Sequence, residues 1–291
     1  MIQYPMNKRD CELYRREGYV VIEKVFSATD LLPVENAIIE LTDRALAHPD
    51  QHDFLELEPD QVDNRQVPRR IYSPYDQHEA FRSLATDPRI LDHIETLIGT
   101  DFDLHHSKLN MKPARVGSPV EWHQDLAFFP HTNDRLVTTL VYLDDANQTN
   151  GCLQVLPRMH QQFFSHEAPD GAFAGMITED VSGDRYGRPV PLEAPAGSVI
   201  FMHCNTPHSS LPNRSTRPRR TLIFEYRAGD AYPVFYGRQT IEDEAGTRPL
   251  RGKRARYARF GGLEPLMPIH VAPTAIYDLQ ADMKAKLESL K

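Results

Sequence analysis

The chain has 291 residues, 40% of them hydrophobic and 25% charged, with a formal net charge of −8 at pH 7. That length buries a full core without cross-links, and the acidic balance disfavours nucleic acid, whose phosphates select a basic footprint. The three cysteines, Cys11, Cys152 and Cys204, have no CxxC spacing, which speaks against a disulfide framework or a zinc knuckle and fits a reducing compartment.

No charged-then-apolar leader opens the sequence, and its longest apolar runs are far too short for a bilayer. A cytoplasmic protein without membrane association is expected. Residues 10–17 predict a short polar helix broken by Gly18, and Tyr19-Val20-Val21-Ile22 a brief strand. Ser27 with Asp30 three residues on is a capping-box pattern. The helix it opens carries Leu31, Val34, Ile38, Leu41 and Ala45 at helical spacing. Residues 48–68 are polar, acidic and unperiodic, and predict a mobile loop. Residues 79–98 read as helix again, interrupted by Pro88 and stopped at Gly99.

From residue 102 onward the pattern changes to short extended runs between turn residues: 102–112, 120–125, 136–143, 151–157, 191–193, 198–203 and 221–227. Such a series points to a sandwich or barrel. The run 136–143 is almost continuously apolar, as expected for a strand covered on both faces. In the tail, Arg251, Lys253, Arg254, Arg256 and Arg259 form a basic cluster read as a solvated face, and residues 274–290 an amphipathic helix. The expected fold is mainly β: one double-stranded β-helix, a cupin-like jelly roll buttressed by N-terminal helices. Residues 1–100 would be mainly helical support, 101–230 the jelly-roll core, and 231–291 a lid with the C-terminal helix.

Within the run 120–125 stands Trp122-His123-Gln124-Asp125. Alternate residues of a strand share a face, so His123 and Asp125 should project together with Gln124 turned away. An imidazole and a carboxylate are two parts of the two-histidine, one-carboxylate set that leaves half of a metal's coordination open, as in non-haem iron(II) oxygenases. His131, His160, His166, His203, His208 and His270 are candidates for the third donor. His208, just past the run 198–203, is preferred, with His203 the rival. Downstream, residues 213–220 form an arginine-rich approach to a strand. A buried arginine needs a carboxylate partner, and a keto-acid cosubstrate carries one.

These residues resemble the phytanoyl-CoA dioxygenase family of iron(II)/2-oxoglutarate oxygenases along nearly the whole chain. Gly18-Tyr19-Val20-Val21-Ile22 is similar to the family's N-terminal opening. Met111-Lys112-Pro113 through Gly117-Ser118-Pro119 to Asp125 resembles its first metal motif. The stretch 150–157, ending in His160, resembles its central strand and turn, although Pro157-Arg158-Met159-His160 departs from the usual Pro-Gly-Ser-His. The run 197–201, His208, Ser210, Asn213, Ser215 and Arg219 follow the order of its second motif.

The resemblance implies iron(II) on His123, Asp125 and His208. It implies 2-oxoglutarate against Arg219 rather than Arg220, assisted by Ser210, with Asn110 and Thr139 lining the cosubstrate pocket, and O2 as co-reactant. Asp125 stands where related halogenases have a small residue, so the implied reaction is hydroxylation of a C–H bond, coupled to decarboxylation of 2-oxoglutarate to succinate and CO2. The alternatives are desaturation, cyclisation or endoperoxidation on the same scaffold, and a non-catalytic jelly-roll binding protein. His106, Lys108 and Asn110 alternate along one strand and are expected to face the barrel interior. The substrate is expected to be a small molecule, with Lys108, Gln124, Phe128, the stretch Arg69-Arg70-Ile71-Tyr72 and Arg227 as candidate contacts. Lys108 and Arg227 would suit an anion, Arg227 sharing the strand parity of Arg219 barring a bulge.

Overall fold

Side-chain caps set the first helices of the computed structural model, which describes residues 4–61, 65–181, 183–234, 249–252 and 276–289. Asn7 accepts from the Asp10 amide to start α1 (Lys8–Glu17), and Gly18 ends it in the left-handed region, φ 86°. A Cβ at Gly18 would lie 2.6 Å from Thr206 Oγ1, so both the turn and the close approach require glycine. Strand β1 (Tyr19–Ile22) follows, then α2 (Ala28–Ala47), opened by the full Ser27–Asp30 capping box and burying Leu31, Val34, Ile38, Leu41 and Ala45.

The stretch read as a loop departs from expectation. It contains a 3-10 turn, Pro49–Gln51, and strand β2 (Leu55–Leu57), which pairs with β3 (Pro68–Tyr72) at the end of a sheet. Leu55-Glu56-Leu57 alternate, but the strand is only three half-buried residues, too short a run to stand out in a polar stretch. Helices α3 (Pro74–Gln77), α4 (Glu79–Ala85) and α5 (Pro88–Ile98) come next. The expected helix over 79–98 is thus two, because Asp87 caps a new start with Pro88 in its first turn.

The remaining elements are β4 (Phe102–Lys112), β5 (Val120–His123), α6 (Asp125–Phe128), β6 (Leu136–Tyr142), β7 (Leu153–Val155), β8 (Val190–Pro191), β9 (Val199–His203), β10 (His208–Ser210), β11 (Arg219–Ala228), β12 (Pro249–Arg251) and α7 (Ile276–Ser289). They complete two antiparallel sheets. The larger runs β1-β9-β6-β11-β4-β3-β2, with β12 on β4, and the smaller runs β5-β10-β7-β8. This is the expected jelly roll.

Strand β6 is buried along its whole length because each face has a different neighbour. Val137 and Val141 pack with Leu41, Ile90 and Ile94 of the helices, whereas Leu140 and Tyr142 meet Leu153, Val155 and Leu192 between the sheets. Strand β4 carries a bulge: Glu225 of β11 pairs with His106 and Tyr226 with Leu104, so His105 is an extra residue. Arg251 is held by Asp92 and Glu95 of α5. The rest of the expected basic cluster, and His270, lie outside the described residues. Among the described residues no helix is long and apolar enough to cross a membrane.

Candidate active site

Strands β5 and β10 pair with His123 opposite His208. The simple alternation argument fails at one point: β5 ends at His123, and Asp125 is the first residue of α6. Gln124 between them keeps an extended backbone, φ −121° and ψ 132°. The carboxylate therefore still returns to the imidazole face. Asp125 Oδ1 lies 3.9 Å from His123 Nε2 and 3.7 Å from His208 Nε2. One donor atom from each residue falls within 4.8 Å of the others, and all three residues are buried.

Local hydrogen bonds aim these donors. His123 Nδ1 is 2.8 Å from Glu121 O and His208 Nδ1 is 2.9 Å from Thr206 O. A carbonyl can only accept, so each Nδ1 holds the proton and each Nε2 presents its lone pair. Thr206 is itself fixed, donating from Oγ1 to Gly18 O at 2.7 Å, which ties the N-terminal glycine to the site. Thr138 Oγ1 donates to Asp125 Oδ2 at 2.7 Å, leaving Oδ1 toward the imidazoles. Burial lowers the pKa of both histidines and keeps them neutral. Burial alone would raise the Asp125 carboxyl, but the positive charge beside it, that of Lys108, and the Thr138 bond hold it below the usual carboxylate range. Two neutral imidazoles and a carboxylate suit a divalent transition metal.

From the triad a cavity runs between the sheets to Arg219, passing Lys108, Asn110, Lys112 and Ser210. Arg219 is 4% exposed. It donates through Nη1 to Thr221 Oγ1 at 2.7 Å and through Nη2 to Gly151 O, while its Nε has no partner. Among the described residues no carboxylate pairs with it. Burial pulls its pKa below the ordinary arginine value. Arg220 points elsewhere, bound to Asp144 at 2.7 Å and Glu35 at 3.1 Å.

The phytanoyl-CoA dioxygenase family model matches residues 14–221. The chain belongs to this family. It is 33% identical over 226 residues to a probable alpha-ketoglutarate-dependent hypophosphite dioxygenase of Stutzerimonas stutzeri, covering 76% of this chain and 78% of that one. It is 27% identical over 259 residues to the ectoine dioxygenase of Bordetella bronchiseptica, covering 81% and 80%. Among solved structures, EctD from S. alaskensis in its apoform superposes with a TM-score of 0.68 at 25% identity, over 88% of this chain and 90% of that one. The enzyme class is that of a non-haem dioxygenase using iron(II), 2-oxoglutarate and O2 on a small molecule.

The other sequence-derived residues of this family member fall into two groups. Asn110, Ser210 and Lys108 line the cavity, and Lys108 Nζ stands 3.9 Å from Asp125 Oδ1. Phe128 lies edge-on to His123, ring centroids 5.6 Å apart. Thr139 is different: the cavity side of β6 shows Thr138, Leu140 and Tyr142, so Thr139 alternates to the opposite face. Gln124 braces loops, donating from Nε2 to Gln162 O at 2.8 Å and Asn205 O at 2.6 Å and accepting the Phe164 amide at 2.8 Å. Arg227 keeps the parity of Arg219, since β11 pairs without interruption with β6. It is bound, however, to Asp103 at 3.0 Å and to Ala231 O.

His203 lies away from the triad, its Nδ1 accepting the Asn205 amide at 3.1 Å. Arg69 pairs with Glu56 at 2.6 Å and Asp278 at 2.9 Å, whereas Arg70 reaches the cavity, donating from Nε to Asn110 Oδ1 at 2.9 Å. Sequence reasoning missed Thr138 and Tyr277. Tyr277, on α7, lies 4.6 Å from the guanidinium of Arg70 and also lines the cavity. No local pattern marks either residue, because one sits in an unbroken apolar run and the other on a distant helix.

Proposed function

We propose that this chain hydroxylates a small anionic molecule, holding iron(II) on His123, Asp125 and His208 and the far carboxylate of 2-oxoglutarate on Arg219, with Ser210 and Asn110 alongside. One observation supports the reading above the rest. A buried three-donor cluster and a buried guanidinium that meets no carboxylate among the described residues stand at opposite parts of one cavity. An arginine so placed is costly until a carboxylate meets it, and a keto acid joins the two ends, its distal carboxylate on Arg219 and its keto-acid end toward the triad.

Iron(II), when bound, supplies the redox chemistry that couples O2 and the keto acid to oxidation of a C–H bond. The protein does the rest. The two tethered imidazoles and the carboxylate steadied by Thr138 would hold the ion, a donor set of three that suits such chemistry. Arg219 and Thr221 fix the length and direction of the cosubstrate. Apolar walls from Leu140, Leu153 and Ile223 limit water. The intact donor set argues against a non-catalytic binding protein.

The anionic preference follows from charge. Four basic side chains, Arg70, Lys108, Lys112 and Arg219, line the cavity, with Asp125 among them, Glu56 4.0 Å from Arg70 and Glu225 3.8 Å from Lys108. A divalent ion and a dianionic cosubstrate cancel, so the positive excess persists and favours an anion. A relative acting on hypophosphite, by its name, fits the same chemistry.

The test is a panel of small anions and neutral isosteres given to enzyme reconstituted with iron(II) and 2-oxoglutarate. An anion should trigger stoichiometric succinate release and gain one oxygen. A product short of two hydrogens would instead identify desaturation or cyclisation. Turnover only with neutral compounds would end the anionic reading.

A further inference from the structure

Strand β5, which carries His123, ends its sheet: β10 pairs with one edge, and among the described residues no strand pairs with the other. Its ladder is also irregular. His123 faces His208 and Val120 faces Ser210, so Glu121 and Trp122 together stand opposite the single Ser209. A bulged edge strand has backbone groups without ladder partners, and they must be satisfied elsewhere.

The partners come from remote parts of the chain. Gln280 of α7, 2% exposed, accepts the Glu121 amide on Oε1 at 3.0 Å and donates from Nε2 to Gly175 O at 2.7 Å. A backbone N–H requires Oε1 and a carbonyl requires Nε2, so both ends of this side chain are fixed. The Ile177 amide donates to Trp122 O at 2.7 Å. Gly175 is left-handed, φ 67°, and a Cβ there would lie 2.6 Å from Leu279 Cδ2, so α7 rests directly on that backbone.

Glu121 is where this brace meets the metal site. Its amide is held by Gln280, and its carbonyl accepts from His123 Nδ1 at 2.8 Å. His208 has no need of such a brace, because β10 lies between β5 and β7. The same helix also closes the cavity. Ile276, Tyr277 and, at the start of α6, Asp125 are the lining residues that no strand carries.

We propose that Gln280 is a positioning residue for the iron centre, acting through the Glu121 backbone to fix the imidazole of His123. This rests on the assignment of His123 as an iron ligand. Without Gln280 the outer edge of β5 is released, and the His123 lone pair is no longer held toward Asp125 and His208.

The test compares Gln280→Met, which keeps the length and removes both hydrogen bonds, with Met283→Ala, which loosens the same helix where Met283 packs with Ala168, Ala174 and Met176. Two readouts need no turnover. Chelator competition gives iron(II) affinity, and the visible absorption of cobalt(II)-substituted protein reports how the ligands are arranged. Gln280→Met should weaken iron(II) binding about 10-fold, the lower end for groups behind a metal ligand, and alter the cobalt(II) spectrum. Met283→Ala should lower the melting temperature and leave both readouts at wild type. Should Gln280→Met not fold, Gln280→Asn, whose amide is drawn back from Glu121 by one methylene, is read in the same way.

Wild-type iron affinity and an unchanged cobalt(II) spectrum in the folded Gln280 variant would overturn the proposal. Equal losses of affinity in the Gln280 and Met283 variants would also overturn it, leaving α7 as a support of the fold alone. His123→Ala separates those failures from failure of the ligand assignment, which falls if this variant binds iron as tightly as wild type.

Discussion

His208 sits directly across the β5–β10 ladder from His123, with ring centroids 4.1 Å apart and an interplanar angle of 51°. Each ring is tethered through Nδ1 to the carbonyl two residues before it in the chain. His131 and His166 use the same device, on Phe129 O and Phe164 O. The cross-strand pair is therefore oriented by short local bonds, and its shape does not wait for a metal.

That preorganisation makes Thr138 a sensitive position. Thr138→Val should keep the fold but release Asp125 Oδ2, lowering iron affinity about 10–100-fold. His208→Ala should lose tight iron binding, whereas His203→Ala should lower stability and leave iron in place. Competition with a chelator reads all three, and iron loss in the His203 variant with retention in the His208 variant would reverse the assignment.

Arg219 and Arg220 are neighbours with different partners. Arg219→Ala should raise KM for 2-oxoglutarate by about 10–100-fold, the range for a lost charge-assisted hydrogen bond. Arg220→Ala breaks the contacts to Asp144 and Glu35 and should lower the melting temperature with little change in that KM. Equal effects on KM would undo the distinction.

Arg227 and Asp103 form a buried ion pair, 3% and 4% exposed. Arg227→Ala removes the guanidinium from the buried Asp103 carboxylate and should destabilise the fold by up to about 3–5 kcal/mol, read by urea denaturation. The double variant Arg227→Met, Asp103→Leu should recover part of the loss. Full stability of Arg227→Ala with weakened substrate binding would return Arg227 to the cavity.

Two histidines away from the triad predict acid sensitivity. Burial pushes His203 from 6.5 down to about 4 and His131 from 6.5 down to about 3. Between those values and 6.5 the unfolded chain binds more protons than the folded one, so stability is full above pH 6.5 and is lost as pH falls toward 4. Urea midpoints at pH 7.5 and pH 5 should differ in that direction, and His203→Gln should reduce the difference. A midpoint independent of pH would show that these groups charge without cost.

Much of this protein is legible along the chain because its signals are local. The Ser27–Asp30 cap, the stripe from Leu31 to Ala45 and the run of short strands each depend on residues a few positions apart. The donor types are legible too, since imidazole and carboxylate chemistry belongs to the residues themselves.

Tertiary structure decided what depends on pairing. Strand β2 is three half-buried residues held by β3, too short to announce itself in the sequence. Period-two alternation says which residues share a face but not which face meets the cavity, so Thr138 and Thr139 can be separated only once β6 lies between β9 and β11. A single extra residue, His105, reset the face of β4, and a distant acid, Asp103, took Arg227. Such choices are contests among groups remote in sequence, and burial settles them by making every unpaired charge expensive.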